Sequence, residues 1–114
     1  DETLAGQVDL AAGLLPDGKM IVNTRRSKEE IAVDLGLDKE QIFVIDATKI
    51  ARETIGLPIP NTPMLGALVK VIENLSLEDV IEDTRRKLEK KFRHKPQVIE
   101  GNIQSIKKAY EEVK

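Results

Sequence analysis

The 114-residue sequence has no cysteine and no tryptophan, and only one histidine, one tyrosine and two phenylalanines. Without cysteine these residues can form no disulfide, thiolate nucleophile or cysteine-ligated iron–sulfur cluster. The single histidine, His94, sits among lysines and arginines in "KKFRHKP". One imidazole does not build a zinc site, so His94 reads as a solvated turn residue and no metal is expected. Aromatics make up 3% of the chain, which removes base stacking as a mode of recognition. No sign of charge dominates: 18 basic and 20 acidic residues are interspersed, for a net charge of −2. That balance points away from nucleic acid and from anionic membrane surfaces. No apolar run approaches the roughly 20 residues that span a bilayer. No basic-then-apolar leader opens the sequence, and a cytoplasmic setting is expected.

Charged residues make up 33% of the chain and apolar ones 40%. A domain of this length buries roughly two-thirds of its unfolded surface, so the core must be built from Leu, Ile, Val and Ala. The opening "DETLAGQVDLAAGLLPDG" has Leu4, Val8, Ala11, Ala12 and Leu15 at helical spacing behind a capping Asp1, and predicts a helix ending in a Pro16-Asp17-Gly18 turn. "KMIVN" (residues 19–23) and "QIFVIDA" (from Gln41) are short continuous apolar runs, the pattern of strands covered on both faces. Between them, Ser27 and Glu30 form a capping box before a helix carrying Ile31, Ala32 and Leu35 and stopped by Gly36. "TKIARETIG" reads as a short helix. Ser76 and Asp79 open another, with Leu77, Val80, Ile81, Thr84 and Leu88 on its inner side. Pro96 starts a last one striped by Ile99, Ile103, Ile106, Tyr110 and Val113. Helices alternating with strands predict an α/β fold, a three-layer α/β/α domain with a mostly parallel sheet and a helical C-terminal end. Two strands make a poor sheet, so the N-terminal strands of this fold are expected to be absent from these residues.

In open α/β sheets ligands gather at the carboxyl ends of the strands. Arg25 and Arg26 follow the first strand, just before a capped helix N-terminus, and are candidates for a phosphate contact. No glycine-rich cradle surrounds them, and adjacent arginines are commonly solvated. Asp46 with Thr48 offers an acid, or a helix cap. The segment "GLPIPNTPMLGALVKV" places three prolines within six residues, with Thr62 as an N-cap and Pro63 at the first helical position. Gly66 and Ala67 then admit a close backbone. Such a segment is either a rigid surface for a partner or cofactor, or a tight helix start packed in its own core. No paired acids, Ser/His/Asp set or metal cluster is evident, and no catalytic residue is assigned.

"IVNTRRSKEE", "VIDATKIARETIGLPIPNTPMLGALVKV", "SLEDVIEDTRRKLEKKF" and "NIQSIKKAYEEV" resemble, in order and spacing, the gamma subunit of 2-oxoacid:ferredoxin oxidoreductases, with the pyruvate enzyme, pyruvate synthase, nearest. The resemblance covers residues 1–114 as the C-terminal portion of a single gamma-type domain; the glycine-rich "GRGGQG" opening of the family is not in this sequence. It implies a hetero-oligomer of anaerobic pyruvate metabolism that oxidatively decarboxylates a 2-oxoacid to acyl-CoA and CO2 and reduces ferredoxin. Thiamine diphosphate, Mg and iron–sulfur clusters would sit in the alpha, beta and delta subunits, coenzyme A would be a co-substrate, and this chain would hold none of these alone. The resemblance also implies a coenzyme A phosphate contact for Arg25 and Arg26, and a partner interface at Pro60, Asn61, Thr62, Met64 and Gly66. The alternative is a free-standing nucleotide- or phosphate-binding α/β module.

Overall fold

Two buried apolar runs pair side by side at the centre of the molecule. A computed structural model describes residues 9–14, 18–72 and 74–114. Its sheet has three strands: β1 (Asp9–Leu14), β2 (Met20–Asn23) and β3 (Ile42–Ile45), in that spatial order. β2 and β3 are parallel, in register from Met20 opposite Ile42 to Asn23 opposite Ile45. The helices are α1 (Lys28–Leu35), α2 (Ala47–Thr54), α3 (Asn61–Val71), α4 (Leu77–Lys91) and α5 (Pro96–Glu112), and a single 3-10 turn (Lys39–Gln41) precedes β3.

β1 corrects the expected opening helix. Residues Asp9–Leu14 lie antiparallel to β2, with a register irregularity between Asp9 and Gly13. The run "DLAAGL" is too short for periodicity to separate helix from strand, Gly13 weakens a helix, and the backbone of β2 needs hydrogen-bond partners on that side. Asp1, Leu4, Val8, Leu15, Pro16 and Asp17 lie outside the described residues. Gly18 turns with φ +85°, a left-handed value that favours glycine. The sheet is therefore mixed, with one parallel and one antiparallel pair.

The pleat divides the core. Val22, Ile42 and Val44 pack with Ile31 and Ala32 of α1 on one face. Ile21 and Ile45 pack on the other with Ala47 and Ile50 of α2, Met64, Ala67 and Val71 of α3, and Ala109 of α5. This is the α/β/α layering expected of strands covered on both sides. α4 is an outer helix: its stripe Leu77, Val80, Ile81, Thr84 and Leu88 is only half-buried.

The expected caps form at α1 and α4. Ser27 Oγ accepts from the Glu30 N–H at 3.1 Å while Glu30 Oε1 accepts from the Ser27 N–H at 3.1 Å, and Ser76 Oγ accepts from the Asp79 N–H. The start of α3 differs from expectation. Its N-cap is Pro60, whose carbonyl accepts from the Met64 N–H at 2.9 Å. Thr62 is inside the helix and makes no cap, and Pro63 is the third helical residue. The first four N–H positions of a helix lack intrahelical partners. Two of those four are here prolines, with no N–H to satisfy, so the helix starts without a side-chain cap.

α5 holds the domain together. Ile99, Ile103, Ser105, Ile106 and Ala109 are buried along it, and two glycines bring its neighbours close. A Cβ on Gly66 of α3 would run into the Ile106 carbonyl, and one on Gly101 of α5 would lie 2.5 Å from the Thr54 carbonyl oxygen at the end of α2. Ion pairs reinforce both sides: Lys108 to Glu53 of α2 at 2.8 Å, and Glu100 to Arg85 of α4. Beyond α5, Lys114 exchanges two backbone hydrogen bonds with Val44, at 3.0 and 3.2 Å, and covers the outer edge of β3.

Gly→Ala inside a helix ordinarily stabilises by about 1 kcal/mol. Here the sign should reverse, since overpacking costs about 1–3 kcal/mol. Gly66→Ala and Gly101→Ala are each expected to lower the unfolding midpoint in denaturant; a raised midpoint would show that the helices do not meet this closely. A second prediction concerns acid. Hydrogen bonds from Lys108 and Arg85 hold the Glu53 and Glu100 carboxyls below their ordinary value of 4.5. These groups bind fewer protons in the folded chain, so their contribution is present above about 4.5 and is lost as pH falls through their folded values. Thermal stability is expected to fall below that pH, and less steeply in a Glu53→Gln, Glu100→Gln variant.

Candidate functional site at the carboxyl edge of the sheet

Parallel pairing brings the carboxyl ends of β2 and β3 together, and the chain leaves both strands through polar residues. Asn23, the last residue of β2, is buried, and its side chain spans the gap. Its Oδ1 accepts from the Ala47 N–H at 2.8 Å, and its Nδ2 donates to Thr48 Oγ1 at 2.9 Å. Beside it the Thr24 N–H donates to the Ile45 carbonyl at 2.9 Å, and Thr24 Oγ1 accepts from the Arg26 N–H at 3.0 Å. Asp46 caps α2, its Oδ1 accepting from the Lys49 N–H at 3.1 Å. Thr48 and Asp46 thus serve the start of α2, and Asn23 ties that start to β2.

The features that suggested a phosphate contact are partly engaged within the chain. Arg26 pairs with Asp34 of α1 at 2.5 Å. The first turn of α1 already carries the Glu30 carboxylate on the Ser27 N–H, and that hydrogen bond keeps the Glu30 carboxyl below its ordinary value. Arg25 is exposed at this edge. The buried polar side chains among the described residues are Asn23, Thr24 and Ser105, all uncharged. No group of three or more His, Asp or Glu among them is placed to hold a metal ion. The edge can therefore present a guanidinium, hydroxyls and a carboxylate to a ligand, and it holds no desolvated acid or base.

α2 then carries the chain about 12 Å along its own axis before the proline segment begins. Of the five interface candidates, two are spent inside. Met64 is in the core beside Ile21 and Ile45, and Gly66 faces the chain's own α5. Asn61 is exposed, and Pro60 and Thr62 are half-buried. In the neighbouring segment Leu57 and Ile59 are 52% and 49% exposed; Val33 and Leu75, elsewhere on the chain, are exposed as well. A cleft of about 570 Å³ lies elsewhere, between α3 and α4, lined by Leu65, Leu75, Val80 and Leu88 among others. It marks where α4 leans loosely on the domain, away from the strand ends.

Asn23 offers a direct test of how this edge is held. Asn23→Ala leaves the Ala47 N–H and Thr48 hydroxyl without their buried partner, at a cost of about 1–3 kcal/mol. Urea unfolding should show that loss; an unchanged midpoint would mean that water replaces the amide without penalty.

Comparison with known proteins covers the same span. Residues 1–112 match the family model described as pyruvate ferredoxin/flavodoxin oxidoreductase. The pyruvate synthase subunit PorC of Thermotoga maritima is 42% identical over 115 residues, covering all of this chain and 57% of that protein. The pyruvate/ketoisovalerate oxidoreductases common subunit gamma of Pyrococcus abyssi is 46% identical over 87 residues, covering 74% of this chain and 47% of its own. The crystal structure of the Thermotoga maritima pyruvate oxidoreductase subunit superposes with a TM-score of 0.72 at 41% identity, over 90% of this chain and 54% of that one. The chain spans about half the length of the curated relatives it matches. On the match of its sequence from end to end, and of its fold, this chain belongs to the pyruvate ferredoxin/flavodoxin oxidoreductase family.

Proposed function

We propose that this chain acts as part of the gamma subunit of a cytoplasmic 2-oxoacid:ferredoxin oxidoreductase, an enzyme that converts pyruvate or a related 2-oxoacid and coenzyme A to acyl-CoA and CO2 and passes the electrons to ferredoxin. The observation that carries this reading is the likeness to the Thermotoga maritima subunit in both sequence and fold. Alpha, beta and delta subunits are the partners it calls for. Iron–sulfur clusters need thiolate ligands, which these 114 residues do not contain. Thiamine diphosphate and Mg are read as belonging to the other subunits. No step of the chemistry is assigned to these side chains. Their work is to fold, to dock, and at Arg25, with Arg26 beside it paired to Asp34, to offer positive charge to a coenzyme A phosphate.

The free-standing nucleotide module is the weaker reading. A nucleotide phosphate would have to compete with Glu30 for the first turn of α1 and with Asp34 for Arg26. Affinity purification of the full-length chain from its own cells separates the two. The other chains of a 2-oxoacid oxidoreductase are expected in stoichiometric amounts; a chain that purifies alone and binds a nucleotide contradicts the proposal. In the assembled enzyme, Arg25→Ala is expected to raise KM for coenzyme A and leave kcat nearly unchanged, the mark of a lost uniform binding contact. Unchanged KM would return Arg25 to solvent.

A further inference from the structure

We infer that Thr24 is a positioning residue for the coenzyme A contact, and that Asp34 selects Arg25 over Arg26 to make it; the inference rests on the phosphate contact proposed above for this edge. β2 ends at Asn23, and residues 24–27 then turn the chain into α1. Their backbone N–H groups are engaged within the chain, with one exception. The Thr24 N–H donates to the Ile45 carbonyl at 2.9 Å, the Arg26 N–H to Thr24 Oγ1 at 3.0 Å, and the Ser27 N–H to Glu30 Oε1 at 3.1 Å. The exception is Arg25, whose N–H and guanidinium find no partner among the described residues. Arg25 is also exposed. It is thus the residue of this turn with both kinds of donor uncommitted, and guanidinium and backbone N–H groups are the donors that phosphate oxygens take.

Thr24 sets this pattern. It is 8% exposed, and its own N–H is pinned to β3. Its hydroxyl takes the N–H two residues on, the short-range bond by which threonine shapes a turn. Behind it Asn23 ties the same strand end to the Ala47 N–H and the Thr48 hydroxyl at the start of α2. The turn is therefore held from the sheet side, and a side chain carried on a held turn loses less freedom on binding than one on a loose turn. Asp34 decides between the two arginines. From α1 it takes the Arg26 guanidinium at 2.5 Å, with the side chains 29% and 36% exposed. A phosphate reaching Arg26 would have to displace that carboxylate against its negative charge. The N-terminus of α1 is no alternative, because the Glu30 carboxylate already occupies it.

The test is a calorimetric titration of the assembled oxidoreductase with coenzyme A in the absence of 2-oxoacid. Thr24→Val keeps the shape of the side chain and removes the hydroxyl. It is expected to weaken coenzyme A binding about three- to tenfold, the worth of one ordinary hydrogen bond, while Thr24→Ser, which keeps the hydroxyl, binds as wild type. In turnover the Thr24→Val loss is expected in KM for coenzyme A, with kcat nearly unchanged. A threonine that serves the fold alone would lower the thermal midpoint of Thr24→Val and leave coenzyme A affinity as it was, and that result overturns the inference. Should Thr24→Val fail to assemble, Asp34→Asn carries the test. Release of Arg26 beside Arg25 is expected to tighten coenzyme A binding about threefold, the scale of one exposed charge pair, and to steepen its salt dependence. Unchanged or weaker binding by Asp34→Asn overturns the inference. Arg25→Ala separates this inference from the contact on which it rests. If Arg25→Ala weakens coenzyme A binding and Thr24→Val does not, the positioning role alone is wrong. If Arg25→Ala binds coenzyme A as wild type, the phosphate contact itself is wrong, and the inference falls with it.

Discussion

The fit of α5 between α2 and α3 is the constraint on which the rest of this structure depends. Close approach is possible there because Gly66 presents no side chain to the Ile106 carbonyl and Gly101 presents none to Thr54. Once α5 sits at that depth, Ile103 and Ile106 are fully buried and Ala109 joins the sheet core. The chain beyond it then reaches the outer edge of β3, where Lys114 pairs with Val44. An exposed strand edge is a route to aggregation, and here the helix that closes the core also delivers the residue that covers the edge. Dispersion contacts of this kind are small singly and large in sum, so displacement of the helix by a single methyl is felt along its whole length.

The carboxyl edge follows from the same frame. Parallel pairing brings Asn23 next to the start of α2, and a buried amide with one acceptor and two donors suits a gap bounded by an N–H and a hydroxyl. Every buried side-chain polar atom in the described residues has a partner. The few buried polar groups, Asn23, Thr24 and Ser105, are thus spent on holding elements in place. That use of polar groups is consistent with the subunit role proposed above.

Much of this was legible in the sequence. The two buried strands, the Ser27–Glu30 capping box, the Gly36 stop, the Asp46 cap and the stripe from Ile99 to Val113 are local signals, and each is found where its residues predict. What was not legible depends on tertiary contacts. "DLAAGL" lies within a stretch whose Leu4, Val8, Ala11, Ala12 and Leu15 keep a helical spacing, yet it pairs with β2, whose backbone has hydrogen bonds to offer. Thr62 has the chemistry of a cap, but the helix begins earlier, at a proline that needs none. Gly66 announces a close neighbour without saying whose backbone it is, and the neighbour is the chain's own α5. Of the interface residues expected at Pro60, Asn61, Thr62, Met64 and Gly66, Met64 and Gly66 face inward, while Asn61 is exposed and Pro60 and Thr62 are half-buried. Gly101 gave no local sign of its role, since a glycine within a helical pattern looks only like a cost.

The central claim is that the domain closes its own core through α5. Amide hydrogen exchange of the full-length chain, free and in the assembled oxidoreductase, tests this most directly. The account predicts slow exchange in both states for the buried turns of α3 and α5, at Ala67, Ile103 and Ile106. Rapid exchange across α3 and α5 in the free chain, with protection appearing only in the complex, would contradict it, because those helices would then be held by the partner and not by each other.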